Sequence, residues 1–258
     1  MDLGLTGKLA VVTGGSRGLG KAIVRELLAE GAAVAICSRT ADELAAAEAE
    51  LAALGRVFAQ VADVTDPGDV QRFVDAAAAA LGGIDILVNN AGAARPGRFA
   101  TLTDEDWHID LDTKLFSVIR CTRAAVPHMR ARGGGRIVNI GAVQGRAPDA
   151  RFFTTSTIRA AGNSLTKVLA QELAADGILV TGVNIGLVTT PQWTNIRDRT
   201  MPGASMAEFT ARITADVPLG RFGTPEEVSG VVAFLASARA SYLTGTDIDV
   251  AGGMGRFV

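Results

Sequence analysis

The chain has 258 residues, 48% of them hydrophobic, which is enough for one large α/β domain with a sizeable core. The net charge of −2 does not indicate a nucleic-acid or membrane-surface partner, and no stretch approaches the ~20 apolar residues of a membrane span. The two cysteines, Cys37 and Cys121, form neither a zinc-ligand spacing nor a disulfide framework, so no metal site is expected. We expect a cytoplasmic protein.

Short apolar runs alternate with helical patterns along the whole chain. Predicted strands cover residues 8–14, 33–39, 56–64, 84–92, 134–142, 177–186 and 245–253. Predicted helices cover residues 18–31, 41–55, a segment opening at Pro67, 104–132, 152–175 and 224–237, and an irregular lid covers about 190–215. Continuous apolar strands joined by helices predict a doubly wound parallel sheet of the Rossmann type, with helices on both faces, in a single domain over residues 1–258.

Ligands of such sheets bind beyond the carboxyl ends of the strands. The segment "TGGSRGLG", residues 13–20, follows the first strand and opens a helix, which is the arrangement that places a pyrophosphate at a helix N-terminus. The loop residues assigned to a dinucleotide are Gly14, Ser16, Arg17, Gly18, Leu19 and Gly20.

The end of the second strand distinguishes between the two nicotinamide cofactors. A site for NAD usually has an acidic residue there, whereas this chain has Ser38 and Arg39. Together with Arg17, Arg39 would suit a 2′-phosphate, so the sequence favours NADP(H) over NAD(H).

Two further strand ends contribute to the predicted cofactor site. Asp63 and Val64 close the third strand, where the carboxylate is placed to bind the adenine amino group. The fourth strand ends in "NNAG", whose Asn90, Ala91 and Gly92 are small enough for a ring to lie against the backbone.

These motifs resemble the short-chain dehydrogenase/reductase family, and the resemblance runs essentially end to end. It rests on "TGGSRGLG", "ADV", "NNAG", "GGRIVNI", "AAGNSLTKVLA", "PLGRFGTPEEV" and "SYLTGTDIDVAGG". It implies an NAD(P)(H)-binding fold, a small-molecule carbonyl or alcohol substrate, and a homotetramer or homodimer. It also implies that Gly186, Val188 and Thr190, after the sixth strand, meet the nicotinamide amide.

The resemblance fails at the catalytic residues. The family uses a Tyr hydroxyl activated by a Lys, with a Ser and an Asn in support. Aligned by their flanking motifs, those positions hold Thr155, Arg159, Ala142 and Lys114. The only tyrosine of the chain is Tyr242, in the C-terminal segment, so no tyrosine can supply the family's acid.

Three interpretations follow from this altered site. In an altered oxidoreductase, Lys114 would act as a general acid beside Thr155, because burial and a second cation lower the pKa of a lysine. Arg159 would then bind the nicotinamide ribose. The alternatives are a catalytically inactive NADP(H)-binding regulatory protein and a non-redox enzyme of isomerase or cyclase type.

The substrate side is predicted from segments around the same opening. Ala142 and Gln144 follow the fifth strand, and Phe153 opens the second long helix. In the lid, Gln192 is placed to orient a polar group and Trp193 to line an apolar pocket.

Overall fold

Within residues 2–255, which the computed structural model describes, seven parallel strands form one sheet in the order β3-β2-β1-β4-β5-β6-β7. The strands are β1 (Leu9–Thr13), β2 (Ala33–Ser38), β3 (Val57–Val61), β4 (Ile86–Asn89), β5 (Gly135–Ala142), β6 (Ile178–Ile185) and β7 (Asp247–Val250). The order reverses direction between β1 and β4, so the predicted doubly wound sheet is confirmed.

Helices cover both faces of the sheet. They are α1 (Gly18–Ala29), α2 (Ala41–Leu51), α3 (Pro67–Leu81), α4 (Asp104–Leu111), α5 (Ser117–Ala131), α6 (Phe153–Leu173), α7 (Gln192–Thr200), α8 (Met206–Ile213) and α9 (Pro225–Ala236). One apolar core lies between the sheet and α1, α2 and α9, and a second lies between the sheet and α3, α5 and α6. None of the helices within residues 2–255 has the length and apolar character needed to cross a bilayer.

The predicted helix over residues 104–132 is not uniform. Between α4 and α5 the chain forms a π-helical segment, Asp112–Phe116, and Lys114 lies inside it. A π segment changes the direction in which its side chains project, and such segments often occur at functional sites. The side chain of Lys114 therefore points inward from a widened turn, and it is 2% exposed.

The expectation of an irregular lid over residues 190–215 is wrong. Two helices, α7 and α8, occupy most of it. Ser205 and Glu208 form a capping box that satisfies backbone N–H groups at the start of α8, a local signal that the polar composition of the segment obscured.

Candidate functional site

The glycine loop after β1 is held in a conformation that requires its glycines. Gly14 and Gly18 have φ angles of +67° and +53°. A Cβ built on Gly20 would lie 2.0 Å from the Gly14 carbonyl oxygen, so no side chain fits there. The Asn90 side-chain amide donates to the carbonyl oxygens of Thr13 (2.9 Å) and Gly14 (3.2 Å), which ties this loop to "NNAG".

The start of α1 has the properties of an anion site. Its N-cap is Arg17, which makes no capping hydrogen bond to the part of the chain that the structure describes, and its first turn contains no acidic residue. The N–H groups of that turn are therefore open to a phosphate, and the helix dipole favours a negative charge there. Ser16 and Leu19, also assigned to the cofactor, are buried beside it.

Residues after β6 lie against the same loop. A Cβ built on Gly18 would be 3.5 Å from Thr190 Cγ2. The Thr190 hydroxyl is buried and has no hydrogen-bond partner within residues 2–255. Two other residues after β6 are tightly packed. Val188 is 3% exposed, and a Cβ built on Gly186 would lie 2.8 Å from the Cα atom of Ala251. An unpartnered buried hydroxyl beside a glycine-lined turn fits the nicotinamide end of a dinucleotide.

The predicted convergence of Arg17 and Arg39 on one phosphate is not what the structure shows. Arg17 pairs with Glu43 at 3.1 Å, and Arg39 lies 4.0 Å from the Asp63 carboxylate. Both arginine side chains are more than two-thirds exposed, and such ion pairs contribute only ~0–1 kcal/mol, so either guanidinium can exchange its carboxylate for a phosphate.

Other residues predicted to contact the cofactor near Arg39 already form hydrogen bonds within the protein. The Ser38 hydroxyl donates to the Thr40 carbonyl at 3.3 Å. Asp63 accepts from the backbone N–H and hydroxyl of Thr65, and Val64 is buried. Asp63 thus has a role in the turn after β3, and its predicted contact with adenine would be made by the remaining carboxylate oxygen.

Lys114 is the centre of a buried polar cluster. Its Nζ donates to Asp110 Oδ2 at 2.6 Å and to Thr155 Oγ1 at 2.8 Å. Asp110 also accepts from the Thr154 hydroxyl at 2.7 Å, and Arg95 Nε lies 3.4 Å from its other oxygen. The predicted pair Lys114 and Thr155 is therefore brought into direct contact by three elements: α4, the π segment and α6.

The surroundings of Lys114 change its protonation. Burial lowers the pKa of Lys114 to about 8. The Asp110 carboxylate opposes this by attraction and hydrogen bonding, while the positive charges of Arg159 and Arg95 act in the same direction as burial. An amine with a pKa near 8 is largely protonated at neutral pH and is able to give up its proton.

Arg159 lies at the boundary between the cluster and "NNAG". Its Nη1 donates to the Ile140 carbonyl at 2.8 Å, and a Cβ on Gly92 would be 3.1 Å from its Nη2. Its Nε is buried and has no partner within residues 2–255. Burial lowers the pKa of Arg159 to about 10, opposed by Asp110, so the guanidinium remains charged at neutral pH.

On the substrate side, three predicted residues lie around the end of β5 and the start of the lid. Ala142 ends β5 and is half-buried, and Gln144 is 7% exposed. Gln192 Oε1 accepts from the backbone N–H of Ala94 at 3.2 Å, which links the start of α7 to the loop after β4.

The two aromatic residues predicted on this side pack against other aromatic rings. Trp193 donates its indole N–H to the Val188 carbonyl at 2.6 Å and packs edge-on against Phe222, so it belongs to the interior of the lid. Phe153 packs against the rings of Phe99 and Trp107. Both rings therefore have aromatic partners within the protein, and their assignment to the substrate side stays a prediction.

Comparison with known proteins identifies the family. The family model described as enoyl-(acyl carrier protein) reductase matches residues 14–255. The chain belongs to the short-chain dehydrogenase/reductase family. One relative in this family is the 3-oxoacyl-(acyl-carrier-protein) reductase FabG of Vibrio cholerae, 37% identical over 253 residues that cover 98% of this chain and 99% of the relative.

Solved structures of other short-chain dehydrogenases/reductases are closely similar. L-sorbose reductase from Gluconobacter frateurii, complexed with NADPH and L-sorbose, has a TM-score of 0.96 at 33% identity, covering 100% of both chains. An NADPH-bound short-chain oxidoreductase from Pseudomonas aeruginosa PAO1, described as containing an atypical catalytic center, has a TM-score of 0.90 at 41% identity, covering 96% of this chain and 97% of that one.

Three residues that the short-chain dehydrogenase/reductase fold brings to the cluster around Lys114 were not predicted from the sequence. These are Asp110, Thr154 and Arg95. Asp110 lies four residues before Lys114, and this helical spacing of opposite charges was a signal that could have identified it. No comparable signal in the sequence indicates Thr154 or Arg95, since they reach the cluster from other elements.

Proposed function

We propose that the protein is an NADP(H)-dependent oxidoreductase that interconverts a carbonyl and an alcohol on a small molecule, with Lys114 as the general acid. The observation that carries the proposal is the 2.8 Å hydrogen bond between buried Lys114 and Thr155, the residue at the position of the family tyrosine. This contact supports Lys114 as a proton donor at the position where the family reaction needs one, at a site where the sequence predicts that all four family residues are replaced.

The cofactor is proposed from the fit of the glycine loop, the open N-terminus of α1 and the unpartnered Thr190 hydroxyl. Relatives solved with NADPH support NADP(H) over NAD(H). The end of β2 supports it as well, because the chain has Ser38 and Arg39 where a site for NAD usually has an acidic residue. When bound, NADPH supplies the hydride for the carbonyl carbon. Arg159 is charged and lies beside Gly92, so we assign it to the ribose hydroxyls. The family lysine also binds these hydroxyls, and an arginine can fill that part of its role.

The proton passes through two side chains. Thr155 Oγ1 accepts a hydrogen bond from Lys114, so its own hydrogen is free to be donated to the substrate oxygen. As the oxygen takes that proton, Thr155 receives one from Lys114, and no free alkoxide forms. Lys114 ends neutral and regains its proton from water, so that reduction consumes one hydride and one proton overall.

Asp110 acts as a positioning residue in this scheme. Its carboxylate binds Lys114 at 2.6 Å and is itself held by the Thr154 hydroxyl and by Arg95. The negative charge offsets part of the desolvation of the ammonium and keeps Lys114 protonated near neutral pH. The same hydrogen bond fixes the ammonium toward Thr155.

Equilibrium binding of NADPH and NADH, measured by calorimetry, is the first test of the cofactor. Micromolar binding of NADPH with weak binding of NADH is expected, and the double variant Arg17→Ala/Arg39→Ala should lose most of this preference. A screen of carbonyl compounds with NADPH then tests turnover. Tight NADPH binding without turnover of any carbonyl would favour a regulatory protein, and no binding of either nucleotide would contradict the proposal.

From the family resemblance we propose a homotetramer, and from the composition we propose a cytoplasmic location. Sedimentation equilibrium of the purified protein tests the first, with a single species of four chains as the expected result. Fractionation of the producing cells tests the second.

A further inference from the structure

Arg95 extends from the buried pair of Lys114 and Asp110 to the surface of the protein. The side chains of Lys114 and Asp110 are 1% and 4% exposed, whereas those of Arg95 and Asp106 are 36% and 27% exposed. Arg95 Nη1 donates to Asp106 Oδ1 at 2.9 Å, and its Nε lies 3.4 Å from Asp110 Oδ1. The guanidinium therefore covers the Asp110 oxygen that does not bind Lys114.

A cation in this place blocks the passage of protons. Within residues 2–255, Lys114 Nζ donates to Thr155 on the substrate side and to Asp110 on the side of Arg95. While a substrate fills the first side, a proton from water reaches Lys114 by way of Asp110. A carboxylate can accept a proton and give it up again, but an arginine keeps its own proton and cannot pass one on. With Arg95 over its free oxygen, Asp110 is separated from water.

The loop that carries Arg95 is tied to the lid and to α6. The Ala94 N–H donates to Gln192 Oε1, at the start of α7, at 3.2 Å. On the other side of Arg95, the Gly97 carbonyl accepts from the Phe153 N–H at 3.3 Å. Lids of enzymes move during turnover. A movement of α7 that breaks the contact with Gln192 also frees one end of the segment that holds Arg95.

We infer that Arg95 is a gate on the proton supply of Lys114, closed while Gln192 holds the loop and open when the lid moves away. The inference rests on the proposed function, in which Lys114 regains a proton in every cycle. With the gate closed, the ammonium is shielded from water and its proton passes only to Thr155. With the gate open, water gives a proton to the Asp110 carboxylate, which transfers it to the neutral amine and returns to its charged form.

Release of Arg95 also changes the electrostatic surroundings of Lys114. The charged groups that act on the amine are Asp110 on α4, Arg159 on α6 and Arg95 on the loop after β4. Burial, Arg159 and Arg95 lower the pKa of Lys114, and Asp110 raises it. Moving Arg95 away removes a positive charge and admits water, and both changes raise this pKa. An open gate therefore favours reprotonation of Lys114.

Exchange of the Lys114 ammonium hydrogens with water measures the gate directly. The chain has four lysines, at positions 8, 21, 114 and 167, so labelling lysine alone with an NMR-active nitrogen isotope gives few signals, and Lys114→Met identifies the one from Lys114. The variants are Arg95→Ala, which removes the gate, and Gln192→Leu, which removes its tie to the lid. Arg98→Ala in the same loop and Gln71→Leu on α3 change exposed residues and serve as matched controls.

In the free protein, exchange at Lys114 should be faster by about tenfold or more in Arg95→Ala and in Gln192→Leu, and unchanged in both controls. A higher pKa alone slows the loss of ammonium hydrogens, so faster exchange in Arg95→Ala reports access of water. Exchange of the backbone amides of α4 should be the same in all variants, which separates an open gate from local unfolding. If Arg95→Ala does loosen α4, Gln192→Leu decides, because Arg95 is intact in it.

Exchange at Lys114 that is as fast in the unmodified protein as in Arg95→Ala and Gln192→Leu overturns the inference. Acceleration in Arg95→Ala alone supports the gate and overturns its link to the lid. The measurement needs neither cofactor nor turnover. Slow exchange that depends on Arg95, in a protein that reduces no carbonyl, therefore counts against the proposed function alone, whereas unprotected exchange in an active enzyme counts against the gate alone.

Discussion

Replacing Lys114 with methionine removes the proposed acid while keeping a side chain of similar length in the π segment. The folded protein destabilises the protonated form of Lys114. A fall in its pKa from 10.5 to about 8 corresponds to about 3 kcal/mol, at 1.36 kcal/mol per pKa unit. Methionine removes this cost but leaves the buried Asp110 carboxylate without its closest cationic partner, a loss of about 3–5 kcal/mol. The two effects largely cancel, so the free energy of unfolding should change by less than about 2 kcal/mol.

Activity should respond very differently from stability. Loss of a positioned general acid slows the reaction by about 10²–10⁴-fold. We expect kcat for carbonyl reduction to fall by this factor in Lys114→Met, with little change in the dissociation constant of NADPH. Lys8→Met, at an exposed position before β1, serves as the matched control and should leave both quantities unchanged.

The pH profile provides an independent readout of the same residue. Reduction requires protonated Lys114, so its kcat should be constant below pH 8 and decline as the pH rises through about 8. Oxidation of the alcohol requires the neutral amine and should rise over the same interval. In Lys114→Met this dependence should disappear. A folded Lys114→Met protein that reduces carbonyls at the original rate, with the same dependence on pH, would refute the assignment of Lys114.

Three further predictions concern the neighbours of Lys114 and the cofactor loop. Thr155→Val should lower kcat about 100-fold because it removes the hydroxyl that contacts Lys114, while Thr155→Ser should retain most of the rate. Asp110→Asn should shift the alkaline decline of reduction to lower pH, measured by steady-state kinetics, because an amide no longer offsets the desolvation of the ammonium; an unshifted decline would exclude Asp110 from this role. Gly20→Ala should abolish NADPH binding in calorimetry, since its Cβ would lie 2.0 Å from the Gly14 carbonyl oxygen.

Much of the fold was accessible from the sequence because its signals are local or periodic. Continuous apolar strands alternating with amphipathic helices predict the parallel sheet, and the ends of the predicted strands mark the edge that carries the candidate site. The lid is the exception. Its helices depend on the capping box of Ser205 and Glu208 and on packing of Trp193 inside the lid, which polar composition alone does not indicate.

The sequence by itself determined the family and predicted which of the family's catalytic residues are replaced. Its motifs predict that Thr155, Arg159, Ala142 and Lys114 occupy the family's catalytic positions, and with Tyr242 as the one tyrosine of the chain they predict that the family's acid is missing. These conclusions need only the identity of residues and their spacing, and both can be read directly from the sequence.

Only the tertiary structure decided which groups stand together in the cluster around Lys114. The contact between Lys114 and Thr155 spans 41 residues, and that between Thr154 and Asp110 spans 44. Such contacts depend on how α4, the π segment and α6 pack, and no local pattern specifies their register. The pKa of Lys114 likewise follows from its burial among charges brought by distant parts of the chain, so it is a property of the folded protein and not of the sequence motif.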